Sequence, residues 1–143
     1  MMPDEEDVRV ASARFYEALN QVCRGDPAPM AEAWHPTERV TTAHPLGDWA
    51  YGWEQVWASW QELSLTARNG TIIARDMRIF VYDSVAYTTC VEDVTVTYGE
   101  TLARWSANVT NVFHKSGGAW KMVHHHSDKA PAAEDAVERL VSG

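Results

Sequence analysis

Val85-Ala86-Tyr87-Thr88-Thr89-Cys90-Val91-Glu92-Asp93-Val94-Thr95-Val96-Thr97-Tyr98 is the stretch on which the fold turns. Ten of these fourteen residues are β-branched or aromatic and neither proline nor glycine interrupts them, so the run reads as one long strand. The same composition returns on either side. Residues 71–82, 101–115 and 119–127 are rich in Val, Ile, Thr, Tyr and Phe, and Asp83-Ser84, Gly99-Glu100 and Ser116-Gly117-Gly118 separate the four runs. Turns this short join antiparallel neighbours, because a parallel pair needs a crossover of about a dozen residues or more.

Upstream of these strands the period changes from two to three and four. Val8, Ala11, Phe15, Leu19 and Val22 lie on one face of a helix whose first turn holds Asp4, Glu5, Glu6 and Asp7, charges that suit a helix N-terminus. Arg24-Gly25-Asp26 ends it. Asp26 can cap a short second helix with Pro27 at its first position and Met30, Ala33 and Trp34 facing inward, closed by His35-Pro36. Arg39 to Ala43 reads as a strand and His44 to Asp48 as a turn. Trp53, Val56, Trp57, Trp60 and Leu63 then recur at helical spacing from about Gly52. After the strands, Ala133, Val137, Leu140 and Val141 predict a final helix over about 131–141.

Helix, helix, strand, helix and four long strands make an α+β fold, with the helices on one face of a curved, mixed or antiparallel sheet that can enclose a cavity. The 143 residues suit a single domain, with a core over about 8–128. Val91, Val109 and Phe113 are expected on one sheet face and Val94, Val96 and Val112 on the other. Apolar residues on both faces call for a homodimer packed through the sheet.

Twelve basic against twenty acidic residues give a net charge of −8 with no basic cluster, which speaks against nucleic acid. No run approaches the roughly 20 apolar residues of a membrane span, and the acidic residues 4–7 do not resemble a signal peptide, so the expectation is a cytoplasmic protein. Cys23 and Cys90 lack metal or disulfide spacing and read as reduced core thiols.

Three stretches resemble the nuclear transport factor 2-like superfamily, and most closely its SnoaL-like branch. They are Arg14-Phe15-Tyr16-Glu17-Ala18-Leu19-Asn20 with Gly25-Asp26; Val40-Thr41-Thr42-Ala43-His44-Pro45-Leu46-Gly47 before the tryptophan helix; and Val109-Thr110-Asn111-Val112-Phe113 followed by Gly118, Trp120 and Lys121 to Ser127. The resemblance spans residues 8–128. It implies a cone-shaped sheet wrapped around three N-terminal helices, the cystatin-like roll, on a scaffold that hosts isomerases, dehydratases, cyclases and association domains. In ketosteroid isomerases of this superfamily a carboxylate base precedes a proline at the end of the first strand, where this chain has His44-Pro45. Their tyrosine and aspartic acid donors correspond to Phe15, which has no donor, and to the amide Asn111. The calcium/calmodulin-dependent kinase II association domain is similar across the last two strands, but its two pocket arginines correspond here to Glu92 and Asn111, so no carboxylate-binding pocket is implied.

Two functions follow. One is a cofactor-independent isomerase, dehydratase or cyclase acting on an apolar carbonyl compound, with His44 and Glu92 as the acid/base pair and Asn111 orienting the substrate. His44, against Trp49 and the tryptophan helix, is expected to be neutral at pH 7 and able to accept a proton, unless it is simply a turn histidine bonded to nearby backbone. Glu92 is either a carboxyl group raised in pKa by an apolar pocket or a rim residue paired with Arg104. Phe15, Trp49, Trp57 and Trp60 are expected to wall a site for a small apolar or aromatic molecule. Strand alternation puts Met122, His124 and His126 on its floor, with His125 toward a dimer partner. Two histidines on one face are too few for a closed zinc site, so no metal and no cofactor are expected. The second function is a non-catalytic ligand-binding or association module.

Overall fold

A computed structural model describes residues 3–142. Its elements are α1 (Pro3–Val22), α2 (Ala28–Glu32), β1 (Thr41–Ala43), β2 (Trp49–Tyr51), α3 (Gly52–Thr66), β3 (Ala67–Tyr82), β4 (Val85–Tyr98), β5 (Thr101–Ser116), β6 (Ala119–Ser127) and α4 (Pro131–Ser142). The four long strands form consecutive antiparallel pairs, and β1 adds to β6 in parallel, giving one mixed sheet of order β2-β1-β6-β5-β4-β3. The fold is the expected α+β arrangement, a curved sheet wrapped around the N-terminal helices. Among the described residues no helix is long and apolar enough to cross a membrane.

The strand expected over Arg39–Ala43 is shorter, and β2 is an element the sequence reading did not contain. Thr41 pairs with Tyr51 and Ala43 with Trp49, so His44–Asp48 is the loop of a hairpin. Gly52, at φ 79°, then switches the chain from β2 into α3, and its N–H donates to the Val40 carbonyl at 2.8 Å.

The face assignments need correction. Cys90 lies opposite Val109 and Ala86 opposite Phe113, so odd positions of β5 share a face with even positions of β4. Val109 and Phe113 therefore lie inside with Val94 and Val96, and Val91 and Val112 lie half-buried outside. Alternation orders residues within a strand, whereas register sets the phase between strands.

A second phase change occurs in β6. Val112 pairs with His124 but Phe113 pairs with Met122, which leaves Val123 as the extra residue of a β-bulge. The bulge inverts the alternation. Trp120 and Met122 before it and His125 and Ser127 after it are all buried, while His124 and His126 face outward.

The core lies between the inner sheet face and the helices, around Phe15, Met30, Trp34, Trp60, Phe113 and Met122. α1 is fastened to β3 at two points. Asn20 Nδ2 donates to the Ile72 carbonyl at 3.1 Å and its Oδ1 accepts from the Ile72 N–H at 2.9 Å, completing the ladder beside the register shift between Arg68 and Thr71. At Gly70 the backbone approaches Cys23 so closely that a side chain would overlap it. Cys23 and Cys90 are free and buried.

Candidate functional site

The curved sheet leaves a cavity of about 460 Å³ between its inner face, α3 and α4. Leu63, Ile72, Val94 and Val96 make its walls apolar, and His44, Glu92 and His125 line it together with the buried Cys23 and Tyr98. Both His44 and Glu92 thus line one cavity.

His44 immediately follows β1. Its Nε2 lies 2.8 Å from Ser59 Oγ, and that hydroxyl already donates its proton to the Val56 carbonyl at 2.6 Å. Ser59 can therefore only accept, so the proton is on Nε2 and the lone pair on Nδ1. The imidazole stands edge-on to Trp60 at a centroid distance of 4.2 Å. Burial here lowers its pKa to about 4, so the ring is neutral at pH 7. Trp60 is the tryptophan against His44; Trp49 lies outside the sheet, and Trp53 and Trp57 stack on each other at 5.6 Å.

Glu92 is 3% exposed on the inner face of β4, and burial raises its pKa to about 7 against the opposing effect of a hydrogen bond from Tyr16. Arg104, the alternative partner, is exposed on β5 and makes no ion pair with it. Tyr16 Oη donates to Glu92 Oε2 at 2.7 Å and receives a bond from Asn111 Nδ2 at 3.1 Å; Cys90 Sγ lies 3.2 Å from the same phenol. With the Asn111 amide nitrogen so directed, its Oδ1 accepts from His125 Nδ1 at 2.6 Å. His125 is 2% exposed, and burial with the neighbouring imidazoles holds it well below the usual histidine range. The Tyr16 phenol is pushed far upward by burial beside Glu92 and stays protonated. The result is a continuous buried chain of hydrogen bonds, His125 to Asn111 to Tyr16 to Glu92, whose two ends line the cavity.

Of the residues expected to bind substrate, Trp60 lines the cavity. Phe15 packs behind it in the core, between Tyr16, Trp60 and His125. Asn111 is fully buried with both ends of its amide engaged, so it holds Tyr16 and His125 instead of a substrate. Met122 is core, Trp57 faces Trp53, and neither reaches the cavity. The bulge at Val123 reverses the expected roles of the histidines. His125 enters the cavity wall, while His124 and His126 sit outside beside Trp49 at 5.7 and 4.9 Å, with His124 Nδ1 at 2.7 Å from Thr41 Oγ1. Among the described residues no group of three or more His, Cys, Asp or Glu is placed to hold a metal ion.

The sequence reading missed Tyr16, Ser59 and His125. Tyr16 had a signal: Ser12 and Tyr16, four apart, are buried beside the stripe of Val8, Phe15, Leu19 and Val22, so the buried arc of α1 is wider than one line of residues. Ser59 lies one residue before Trp60 and three after Val56. His125 had no comparable signal, because a bulge leaves no mark in a run such as Lys121 to Ser127.

The chain matches the family model described as SnoaL-like domain over residues 8–132. The F-box protein SKIP8 of Arabidopsis thaliana is 30% identical over 98 residues, which is 68% of this chain and 40% of that protein. The chain thus spans about 40% of the length of this curated relative. Among solved structures, a candidate dehydratase of the NTF2-like family from Streptomyces avermitilis is 25% identical with a TM-score of 0.78, covering 90% of this chain and 97% of that one. A candidate calcium/calmodulin-dependent protein kinase type II association domain from Thiobacillus denitrificans is 22% identical with a TM-score of 0.69, covering 85% and 94%. The second likeness is one of fold alone.

Proposed function

The chain belongs to the SnoaL-like domain family, and we propose that it binds a small, largely apolar carbonyl compound and moves protons on it as a cofactor-independent isomerase, dehydratase or cyclase. The observation that carries this reading is the pairing, in one cavity, of a neutral imidazole with a carboxyl group that titrates near 7. In a dehydration, His44 Nδ1 takes the proton from the carbon beside the carbonyl, and the C–H electron pair becomes the new C=C bond. The C–O bond breaks with its electrons toward oxygen, and Glu92 protonates the departing hydroxyl, which leaves as water. The imidazolium and carboxylate so formed offset each other's charge, and one proton returned from His44 to Glu92 through solvent restores the site. In an isomerisation the same two groups remove a proton at one carbon and return one at another. Asn111 and Tyr16 position Glu92.

The test is a panel of β-hydroxy and β,γ-unsaturated ketones, followed by the absorbance of the conjugated product. Turnover by the wild type, lost by about 100-fold or more in both His44→Gln and Glu92→Gln, is the expected result. A panel that binds but is not turned over supports the second reading, a ligand-binding module. That reading is favoured by one observation: Tyr16 gives its proton to Glu92, Asn111 donates to Tyr16, and neither residue lines the cavity, so neither aims a hydrogen bond at a substrate oxygen. We further propose a homodimer formed through the outer sheet face, where Phe80, Tyr82 and Tyr87 stack and Ile73, Val85 and Leu102 are exposed.

A further inference from the structure

The charge along the path into the cavity is one-sided. Asp48, Glu62 and Glu92 line the cavity, and neither a lysine nor an arginine does. Asp48 and Glu62 are exposed and so mark the mouth, whereas Glu92 lies at depth. The lining continues outward into a shallow groove that shares Leu46, Gly47, Asp48, Val137 and Val141 with the cavity and adds Glu134, Glu138 and one cation, Lys129. Asp48 and Glu62 take part in no ion pair among the described residues. Independently of this acidic rim, the buried carboxyl of Glu92 has one oxygen bonded by Tyr16, while its other oxygen has no hydrogen-bond partner among the described residues. Between rim and depth the wall is apolar and aromatic, with Trp60 and Trp105 both contributing.

We infer that the ligand is an apolar carbonyl compound bearing a basic amine, its polar reacting end at Glu92 and His44 and its ammonium group at the mouth beside Asp48 and Glu62. This rests on the reading of the cavity as the ligand site and names the substrate class. An anionic ligand would meet the Asp48 and Glu62 carboxylates at the mouth with no lysine or arginine in the cavity lining to offset them, and the two imidazoles of the cavity are held neutral by burial, so acids and phosphate esters are disfavoured. A cationic ligand meets the opposite situation. The chain's excess of acidic residues draws it toward the mouth, the rim carboxylates pair with it where water still solvates both, and its hydrocarbon body enters the aromatic wall.

The decisive experiment uses three probes of one skeleton, 4-phenylbutylamine, 4-phenylbutan-1-ol and 4-phenylbutanoate, titrated calorimetrically into the full chain at pH 7 and low salt. The amine is expected to bind roughly tenfold more tightly than the alcohol and the carboxylate more weakly than either, with the amine preference shrinking in high salt. In the Asp48→Asn/Glu62→Gln double variant the amine-to-alcohol ratio should fall toward one. Equal or tighter binding of the carboxylate overturns the inference, as does an amine preference that survives in the double variant. A preference abolished by Glu92→Gln instead also overturns the placement at the mouth. The catalytic reading fails separately: turnover that persists in Glu92→Gln refutes that reading while the probe ratios still decide this one.

Discussion

In the proposed reaction Glu92 sets the pH dependence. As the group that protonates the leaving oxygen it must carry a proton, and with its pKa raised to about 7 it loses that proton as pH rises through neutrality. His44 must be neutral, and with its pKa lowered to about 4 it is lost to protonation only in acid. The rate is therefore expected to be highest between about pH 4 and 7 and to fall on the alkaline side, as read from kcat/KM across pH. An activity that instead rises through pH 7 would make Glu92 the base and remove His44 from that role. Tyr16→Phe removes the one interaction that lowers the Glu92 pKa, so the alkaline limb should move to higher pH with the fold intact. A limb that does not move would show that the phenol does not act through Glu92. At this scale the sequence put His44 at a strand end and Glu92 on the side shared by Cys90 and Val94, and left open whether the first is a turn histidine and the second a rim residue paired with Arg104. It was silent on Asn111 as a bridge, because a buried amide serving two other side chains looks like any amide until its neighbours are known.

The elements show where sequence patterning carries and where it stops. Strand composition and turn chemistry made β4 and β6 legible to the residue, and helical spacing did the same for the start of α3. Phase was not legible. Register between β4 and β5 and the bulge at Val123 depend on partners distant in sequence, and each reverses which residues face the cavity. β2 was missed because three residues are too few to show a period. Gly70 is the position where an element's seat is most exposed to test. Its N–H donates to the Cys23 carbonyl at 3.0 Å and its own carbonyl accepts from Arg24 Nε at 2.9 Å, so the backbone of β3 touches the end of α1 with no room for a side chain. Gly70→Ala should push α1 from the sheet and destabilise the fold by about 2–3 kcal/mol in chemical denaturation. A loss below about 0.5 kcal/mol would mean that α1 shifts freely, and the Tyr16–Glu92 bond with it.

At the scale of the whole molecule, the sheet that encloses the cavity on one side presents an aromatic and aliphatic surface on the other, and the two sides are built from alternate residues of the same strands. The proposed dimer follows from the outer set, so sedimentation at micromolar concentration should give twice the chain mass, and Tyr87→Asp with Leu102→Glu should return it to the monomer while leaving the inner face folded. A wild-type chain that sediments as a monomer would remove the dimer. The same division sorts the tryptophans into compartments with different optical surroundings. Trp60 and Trp105 stand in the cavity wall, Trp60 fully buried and in contact with His44, whereas Trp49 is 45% exposed on the far side of the sheet. Iodide in solution can collide with Trp49 and not with Trp60. A molecule entering the cavity changes the surroundings of Trp60 and Trp105 and leaves Trp49 as it was. Protonation of His44 places a cation against the Trp60 ring and dims its emission. The chain thus carries its own fluorescent probe inside the cavity and an internal reference outside it, so occupancy and the ionisation of His44 can both be followed by light without a label.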